Sequence, residues 1–272
     1  MPSLKDLLKG ILSDEELKIL PRSFDIIGDI AIIEIPPELE KKEKVIAEAL
    51  LKFKNIKVVA KKAGIFEGEF RTRNVEIIGG ENRTETIHKE LSCKYILDIE
   101  KVYFSERLEN ERLRILNLVK DNEKILVMFA GVGPYAILLS KKKNVEVYAI
   151  ELNPVAYEYM IKNVKLNKVN VNCILGDVRI ETPKLVEKVG KFDRIIMPLP
   201  KDAGNFLDVA LKAIKKGGII HYYGFSDDPK KFANEVKNTV KNLNYEIEIL
   251  NAVKCGSYSP RVYRICVDFK VL

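Results

Sequence analysis

The residues best suited to bind a ligand begin at a glycine turn, Ala130-Gly131-Val132-Gly133-Pro134. Glycines let the chain turn sharply and let a ligand approach the backbone without a Cβ in the way. A helix that begins at Pro134 would present its first N–H groups at the same place. Glu151 ends the next apolar run, where a carboxylate could accept both hydroxyls of a ribose. The pattern predicts a nucleoside ligand, with a tight turn and a solvent-exposed Glu as the structural alternative.

A further carboxylate, Asp177, helps to identify the nucleoside. The spacing Gly131-x-Gly133-x-x-Ala136 also satisfies the dinucleotide fingerprint, so NAD and a dehydrogenase remain an alternative. Asp177 follows the third apolar run and precedes Val178, where it could reach an adenine amino group. A sulfonium cofactor needs no pyrophosphate cradle. The extra carboxylate therefore favours S-adenosylmethionine over NAD.

A proline motif, Met197-Pro198-Leu199-Pro200, ends the fourth apolar run. In open α/β sheets, substrates lie at the carboxyl ends of the strands. Neither proline has an N–H group, so the motif could serve as a rigid rim for a substrate. A strand that prolines simply stop explains it equally well on chemistry alone.

These residues need a scaffold, and the second part of the chain predicts one. Strands are predicted over 124–129, 145–151, 171–175, 192–197 and 219–225, and helices over 134–142, 154–166, 203–215 and 229–242. Strands that alternate with helices indicate right-handed βαβ units and a parallel sheet covered on both faces. Two final strands, 246–254 and 262–269, could form an antiparallel edge. The predicted class is α/β, a doubly wound Rossmann-like sheet.

The first part reads as a small α+β domain. A hairpin is predicted from strands 24–27 and 30–35, which Gly28-Asp29 joins. A charged helix follows over 38–52, then strands over 57–61, 66–71, 75–78 and 95–98, and a helix over 106–119. We place the domain boundary near residue 118, which gives domains 1–118 and 119–272.

Charge is distributed unevenly along the 272 residues. The net charge is +7, and residues 119–272 hold 25 basic and 17 acidic residues against 21 and 22 before them. This excess permits a polyanionic partner without naming one. The apolar runs are far shorter than the ~20 residues that span a bilayer, and residues 1–9 lack a signal core. Two His and four scattered Cys make a metal cluster unexpected. We expect a cytoplasmic protein.

A longer set of motifs resembles one known family. The matching segments cover nearly the whole chain: Phe70-Arg71-Thr72-Arg73, Gly80-Glu81-Asn82-Arg83-Thr84, Ile87-His88-Lys89-Glu90, Val102-Tyr103-Phe104-Ser105, Asn110-Glu111-Arg112, Met128 to Pro134, Glu151-Leu152-Asn153-Pro154 and Gly218 to Tyr223. They are similar to the archaeal and eukaryotic tRNA (guanine-N1)-methyltransferases and the related wybutosine-pathway aminocarboxypropyltransferases. The resemblance implies a class I methyltransferase fold and S-adenosylmethionine acting at the purine 3′ of the anticodon.

Departures from the methyltransferase pattern favour the second branch. The methyltransferases usually carry an extra N-terminal tRNA-binding domain, whereas this chain begins almost directly with the small middle domain. They usually have Asn where Pro198 stands and Asp where Val127 stands. Loss of that Asn removes an amide donor and acceptor that would hold the target guanine. The resemblance therefore implies aminocarboxypropyl transfer, in which the cofactor presents a methylene carbon of its methionine part.

Roles for individual residues also follow from the resemblance. It implies that Ser105, Arg112, Glu151, Asp177 and Val178 surround the cofactor with the glycine turn, and that Arg112 pairs with the methionine carboxylate. On the residues alone, a solvated cation on the helix over 106–119 is the favoured interpretation of Arg112.

Catalysis and tRNA binding are assigned in the same way. The resemblance implies that Glu111 is a general base and that Arg71 stabilises charge on the target base. Arg73, Arg83 and several lysine and arginine groups are candidate phosphate contacts, although each lysine run alone is typical of a solvated face. The further candidates are Lys141 to Lys143, Lys215-Lys216, Lys230-Lys231, Arg261 and Arg264.

The leading hypothesis is transfer of the 3-amino-3-carboxypropyl group to 4-demethylwyosine in phenylalanine tRNA, which releases 5′-methylthioadenosine. The enzymatic alternative is a tRNA (guanine-N1)-methyltransferase that releases S-adenosylhomocysteine. An RNA-binding protein with a degenerate cofactor fold is the non-enzymatic alternative.

Overall fold

The computed structural model describes residues 2–64, 72, 74–199 and 206–272. The chain forms two compact units, Met1–Lys89 with Lys94–Glu106, and Glu90–Cys93 with Arg107–Leu272. The division comes earlier than the predicted boundary near residue 118. Its physical cause is the helix Glu109–Leu118, which packs on the helix Pro134–Lys142 and therefore belongs to the second unit.

The described part before residue 107 has short helices and two groups of strands. The helices are α1 (Leu4–Leu8), α2 (Asp14–Ile19) and α3 (Glu43–Leu51), and a 3₁₀ helix covers Pro37–Lys42. The strands are β1 (Asp25–Ile27), β2 (Ile30–Ile33), β3 (Val58–Lys62), β4 (Val75–Gly80), β5 (Glu85–Glu90) and β6 (Cys93–Asp98). The sheet order is β1-β2-β3-β4, and β5 pairs with β6.

The predicted hairpin is confirmed, with Gly28 at φ +61° in the turn between β1 and β2. Helix α3 buries Ile46, Ala49 and Leu50 against a core that includes residues of β2 and β3. The structure adds α1 and α2, whose Ser caps and acidic N3 residues form capping boxes. It also adds β5. The predicted strand 66–71 lies outside the described residues.

The second unit alternates strands and helices. Its strands are β7 (Lys124–Met128), β8 (Glu146–Glu151), β9 (Asn172–Leu175), β10 (Phe192–Met197), β11 (Ile214–Ser226), β12 (Ile247–Ser259) and β13 (Val262–Val271). Its helices are α4 (Glu109–Leu118, after the 3₁₀ turn Glu106–Leu108), α5 (Pro134–Lys142), α6 (Pro154–Asn167), α7 (Val178–Val189), α8 (Leu207–Ala213) and α9 (Pro229–Asn242).

One seven-stranded sheet organises this unit, in the order β12-β13-β11-β10-β7-β8-β9. The pairs β11–β10, β10–β7, β7–β8 and β8–β9 are parallel, whereas β13 runs antiparallel to both β11 and β12. The predicted parallel sheet with an antiparallel edge is thus confirmed. Its core includes strand residues such as Leu126, Ile195 and Phe269, all with no exposed surface. Among the described helices, none is both long and apolar enough to cross a bilayer.

Two elements differ from the prediction. Helix α7 was not predicted because Pro183 interrupts its pattern, yet Asp177 caps its first turn. The helix predicted over 203–215 ends at Ala213, and residues 203–205 are outside the described part. Ile214 already pairs with Phe192, and the segment Lys215 to Gly218 belongs to a long β11.

Candidate functional site

The glycine turn lies where β7 ends and α5 begins. Gly133 is the residue before Pro134, and its φ of +90° is in the left-handed region. A Cβ there would meet Ile137 Cδ1 at 2.9 Å and Met160 Cγ at 3.0 Å. Phe129 also has a positive φ, +57°, which is uncommon for a bulky residue. The tight turn therefore depends on glycine at 133 and holds backbone strain at the carboxyl edge of the sheet.

Glu151 closes onto this turn. Its Oε2 accepts from the Gly131 N–H at 2.6 Å, and its Oε1 accepts from the Asn153 N–H at 2.8 Å. Burial raises the pKa of the Glu151 carboxyl, and hydrogen bonds from the Asn153 and Gly131 N–H groups partly oppose that rise. The carboxylate is half-buried, so the alternative of a solvent-exposed Glu is wrong. Each oxygen keeps a second lone pair for a ribose hydroxyl, and the residues therefore fit a nucleoside cofactor.

Asp177 and Val178 begin α7 beside that edge. Asp177 caps the helix through the Arg179 N–H at 2.8 Å, and it accepts from Arg179 Nε at 3.0 Å. The Arg179 guanidinium holds the pKa of Asp177 below its ordinary value. Val178 is buried. The Gly176 N–H donates to the Glu151 carbonyl at 2.9 Å, which joins the ends of β8 and β9. The adenine contact of Asp177 stays a prediction.

The proline motif follows β10, which lies between β11 and β7. Met197 has no exposed surface, Pro198 is half-buried, and the Leu199 N–H donates to the Met197 carbonyl at 2.8 Å. Pro198 thus stands at the carboxyl edge, as predicted for a substrate rim. Pro200 lies outside the described residues. Contact between Pro198 and a substrate remains a prediction.

An aromatic pair that no sequence pattern predicted lies at the same edge. Phe129 of the glycine turn and Phe206, just before α8, have ring centroids 4.9 Å apart with nearly perpendicular planes. The Arg179 guanidinium lies 5.3 Å from the Phe206 ring. Because these three residues come from separate segments, only the tertiary structure brings them together.

Helix α4 directs Arg112 into the interior. The side chain is 2% exposed, so it is not the solvated cation that the residues alone allowed. Its Nε and Nη2 donate to the two carboxylate oxygens of Glu90, each at 2.6 Å. This bidentate pair accounts for two donors of the guanidinium. The contact of Arg112 with a methionine carboxylate remains a prediction.

Glu111, on the same helix, is also buried, with 3% of its side chain exposed. The Tyr223 hydroxyl donates to Glu111 Oε1 at 2.6 Å, and Arg114 donates to both Glu111 oxygens at 2.7 and 2.8 Å. The Tyr135 hydroxyl lies 3.2 Å from that of Tyr223. Burial raises the pKa of both tyrosines well above the ordinary value, so both stay protonated. The candidate base is therefore a buried carboxylate held by fixed donors.

A chain of charges continues behind Glu111. Arg114 also donates to Asp268 Oδ2 at 2.5 Å, and Asp268 Oδ1 lies 2.6 Å from His221 Nδ1. Arg194 Nη1 lies 2.7 Å from His221 Nε2. Because a guanidinium only donates, Nε2 accepts and Nδ1 carries the proton. Burial lowers the pKa of His221, which fits this neutral form.

Asp268 lies in the middle of that chain, between Arg114 and His221, and also belongs to a cluster of possible metal ligands. Burial alone would raise its pKa, but hydrogen bonds from His221 and Arg114 outweigh burial and hold the pKa far below the usual range. His221, Cys266 and Asp268 place possible ligand atoms within 4.8 Å of one another. Since both His221 nitrogens are already hydrogen-bonded, we assign this cluster to the charge chain and to no metal.

The structure describes only some of the site residues predicted in the first unit. Arg71 and Arg73 lie outside the described residues, and Ser105 is half-buried. Arg83 donates to Asp29 at 2.6 and 3.0 Å and to Glu81 at 2.7 Å. This pairing neutralises its charge locally and does not favour the predicted phosphate contact.

Two lysines proposed as phosphate contacts in the second unit are also paired. Lys215 bonds Asp193 at 2.6 Å and Lys231 lies 3.3 Å from Asp227. Surface pairs of this kind are weak and can be exchanged for a phosphate. Their roles in tRNA binding remain predictions.

The parallel sheet, the glycine turn and the Glu151 carboxylate at its carboxyl edge define a Rossmann-like nucleoside-binding domain. Residues 86–248 match the TRM5/TYW2 methyltransferase domain, and residues 4–84 match the TYW2 N-terminal domain. The chain belongs to the TRM5/TYW2 methyltransferase family. The predicted family and the predicted cofactor, S-adenosylmethionine, are both confirmed, and NAD is set aside.

Relatives from both branches are similar to the chain. It is 46% identical to a tRNA (guanine(37)-N(1))-methyltransferase of Pyrococcus abyssi, over 93% of this chain and 76% of the relative. It is 37% identical to a tRNA 4-demethylwyosine(37)-methyltransferase of Saccharolobus solfataricus, over 98% and 99%. It is 37% identical to a Methanocaldococcus jannaschii tRNA(Phe) (4-demethylwyosine(37)-C(7)) aminocarboxypropyltransferase, over 90% and 96%.

Solved structures from both branches of the family are also similar to the chain. Trm5b of Pyrococcus abyssi superposes with a TM-score of 0.85 at 45% identity, covering 96% of this chain and 78% of that one. TYW2 of Pyrococcus horikoshii in complex with MeSAdo gives a TM-score of 0.81 at 29% identity, covering 99% and 98%. The class I methyltransferase fold predicted from the sequence is thereby confirmed.

Proposed function

We propose that this chain transfers the methyl group of S-adenosylmethionine to the purine at position 37 of a tRNA. The observation that carries the proposal is the 46% identity to a guanine-37 methyltransferase over 93% of the chain. The buried Glu111 carboxylate, held by Tyr223 and Arg114, supports it because removal of a ring proton requires a positioned base.

The proposed roles of the residues follow from their places in the site. Glu151 binds the ribose of the cofactor, and the glycine turn lets that cofactor approach the backbone. When bound, S-adenosylmethionine supplies a carbon activated by the neighbouring sulfonium. As the bond from the purine to the methyl carbon forms and the carbon–sulfur bond breaks, Glu111 takes the proton that the purine loses. Arg71 is proposed to stabilise charge on the base, although it lies outside the described residues.

Aminocarboxypropyl transfer to 4-demethylwyosine in phenylalanine tRNA is the second candidate, and it was the leading expectation from the sequence. Two departures from the methyltransferase pattern favour it. Pro198 stands at the carboxyl edge where an amide would hold guanine, and Val127 is fully buried within β7. The same loss of a guanine-holding amide also suits methylation of 4-demethylwyosine, the activity in the name of the Saccharolobus relative.

One experiment separates these candidates. The full chain is incubated with S-adenosylmethionine labelled either in the methyl or in the carboxyl group. The acceptors are phenylalanine tRNAs that carry guanine or 4-demethylwyosine at position 37. Methyl label in the RNA with S-adenosylhomocysteine released supports the proposal, and the accepted tRNA identifies the base.

Carboxyl label in the RNA with 5′-methylthioadenosine released establishes the second candidate and overturns the first. If neither label enters either tRNA while S-adenosylmethionine binds, both fail and an RNA-binding role replaces them. A Glu151→Ala variant serves as the control for cofactor-dependent labelling.

A further inference from the structure

An exposed aromatic pair lies at one end of the sheet of the second unit. Phe225 near the end of β11 and Tyr258 near the end of β12 are stacked, with ring centroids 4.0 Å apart and planes 29° from parallel. Tyr258 is 61% exposed, while Phe225 is half-buried beneath it. We call Phe225 and Tyr258 the aromatic platform. A tyrosine ring held flat against a second ring leaves its outer surface to solvent.

Arginine side chains lie beside the aromatic platform. The Arg264 guanidinium lies 5.9 Å from the Phe225 ring, and Arg264 is the residue opposite Phe225 in the β11–β13 ladder, so the two side chains share a face of the sheet. Arg261, in the turn between β12 and β13, is exposed.

Nearby acidic groups have their own partners. Asp227 pairs with Lys231 at 3.3 Å, and Asp228 accepts from the Lys231 N–H at 2.9 Å as the cap of α9. The charge beside the rings is therefore predominantly positive, and it complements a polyanion.

The aromatic platform also lies close to the candidate base. Side chains alternate along a strand, so Tyr223 and Phe225 project from the same face of β11, about 7 Å apart along the strand. The Tyr223 hydroxyl donates to Glu111. Since β11 is parallel to β10, its end at Ser226 lies at the carboxyl edge of the sheet, where substrates bind.

We propose that the aromatic platform binds an unpaired base of the tRNA anticodon loop by stacking, with Arg264 contacting an adjoining phosphate. Every base has a π-face, so aromatic side chains beside cations bind unpaired RNA with little dependence on sequence. This site would hold a nucleotide next to the one whose base is modified. The proposal rests on the proposed function, because it assumes a tRNA substrate.

The probe is an anticodon stem-loop RNA with 2-aminopurine beside position 37, since stacking quenches 2-aminopurine fluorescence. The variants are Tyr258→Ala and Tyr258→Phe, which keeps the ring. Leu250→Ala is the matched control, an exposed side chain at the other end of β12. We expect quenching by the wild type, Y258F and L250A. We expect Y258A to lose the quenching and to bind the RNA on the order of tenfold more weakly.

Thermal unfolding and S-adenosylmethionine binding should be the same for all four proteins, because Tyr258 is exposed. In assays with full tRNA, Y258A should raise KM while single-turnover rates at saturating tRNA stay near those of the wild type. Equal quenching and equal affinity for Y258A and the wild type would overturn the proposal, as would wild-type binding without quenching. Wild-type quenching without group transfer would instead remove the proposed function and leave the RNA site in place.

Discussion

At the scale of single residues, Glu111 is almost wholly buried and yet accepts three hydrogen bonds, from Tyr223 and from both arms of the Arg114 fork. Arg114 is shared with a second buried carboxylate, Asp268. One guanidinium thus holds two buried carboxylates in fixed positions.

Substitution of the candidate base tests its role. Glu111→Gln keeps the shape of the side chain but removes the site that accepts a proton. We expect the single-turnover rate to fall by about 10²–10⁴-fold with little change in S-adenosylmethionine affinity. Glu109→Gln, an exposed position on the same helix, is the control and should keep the wild-type rate. A rate for E111Q within twofold of the wild type would show that another group takes the proton.

Asp268 governs a prediction on stability. Asp268→Asn removes a charged partner from both Arg114 and His221, and we expect a loss of about 1.5–3 kcal/mol in the free energy of unfolding at neutral pH. The folded-state pKa of Asp268 is lowered, so its stabilising effect is complete above the unfolded value of ~3.9 and is lost as the pH falls through the folded pKa. Denaturant unfolding at several pH values should therefore show the two proteins converging only in acid.

Asp227→Asn is the comparison for that measurement. Asp227 is exposed, pairs with Lys231 at 3.3 Å and accepts from the Ser226 hydroxyl at 3.2 Å, so we expect little change in stability at any pH. A D268N variant that is as stable as D227N at neutral pH would contradict the structural role of the buried charge chain.

At the scale of elements, the strand–turn–helix unit from β7 to α5 is defined by local chemistry. An apolar strand, two glycines and a proline at the first helical position specify it within a few residues. Helix α4 shows the opposite case. Its pattern predicted a helix, but the burial of Glu111 and Arg112 depends on Tyr223 and Glu90, which are remote from it in sequence.

A glycine substitution tests the turn. Gly133→Ala introduces a Cβ at φ +90° that would meet Ile137 and Met160 at 2.9 and 3.0 Å. We expect a loss of about 1–3 kcal/mol in stability and weaker S-adenosylmethionine binding, measured by denaturation and calorimetry. Gly10→Ala, at φ +80° with nothing within 4 Å, carries backbone strain alone and should leave cofactor affinity unchanged. If G133A binds S-adenosylmethionine as tightly as the wild type, the turn does not contribute to cofactor binding.

At the scale of the whole molecule, charge follows the two compact units. The second unit holds 28 basic and 20 acidic residues by sequence, and the first holds 18 and 19. The excess of +8 is thus unchanged when the boundary moves from residue 118 to the observed division. The same unit contains Glu111, Glu151 and the aromatic platform.

The excess positive charge should make tRNA affinity depend on salt concentration. If the second unit neutralises several phosphates, log affinity should fall linearly with log salt, with a slope of about −0.7 for each contact on unpaired RNA. Binding of S-adenosylmethionine over the same salt range is the control and should vary little. A flat response for tRNA would remove the basic surface from substrate binding, while a steep response in both would point to salt-induced unfolding.

The sequence by itself determined the alternation of strands and helices, the glycine turn and the carboxylate that closes on it, because each depends on residues close together in the chain. It missed α7, where Pro183 breaks the pattern, and it extended the helix before β11 too far. Tertiary structure alone decided which charges meet. The antiparallel register of β11 and β13 places His221 opposite Asp268, and the approach of α4 to β11 joins Tyr223 to Glu111. These partners lie far apart in the chain, so no local pattern could reveal the buried network behind the candidate base.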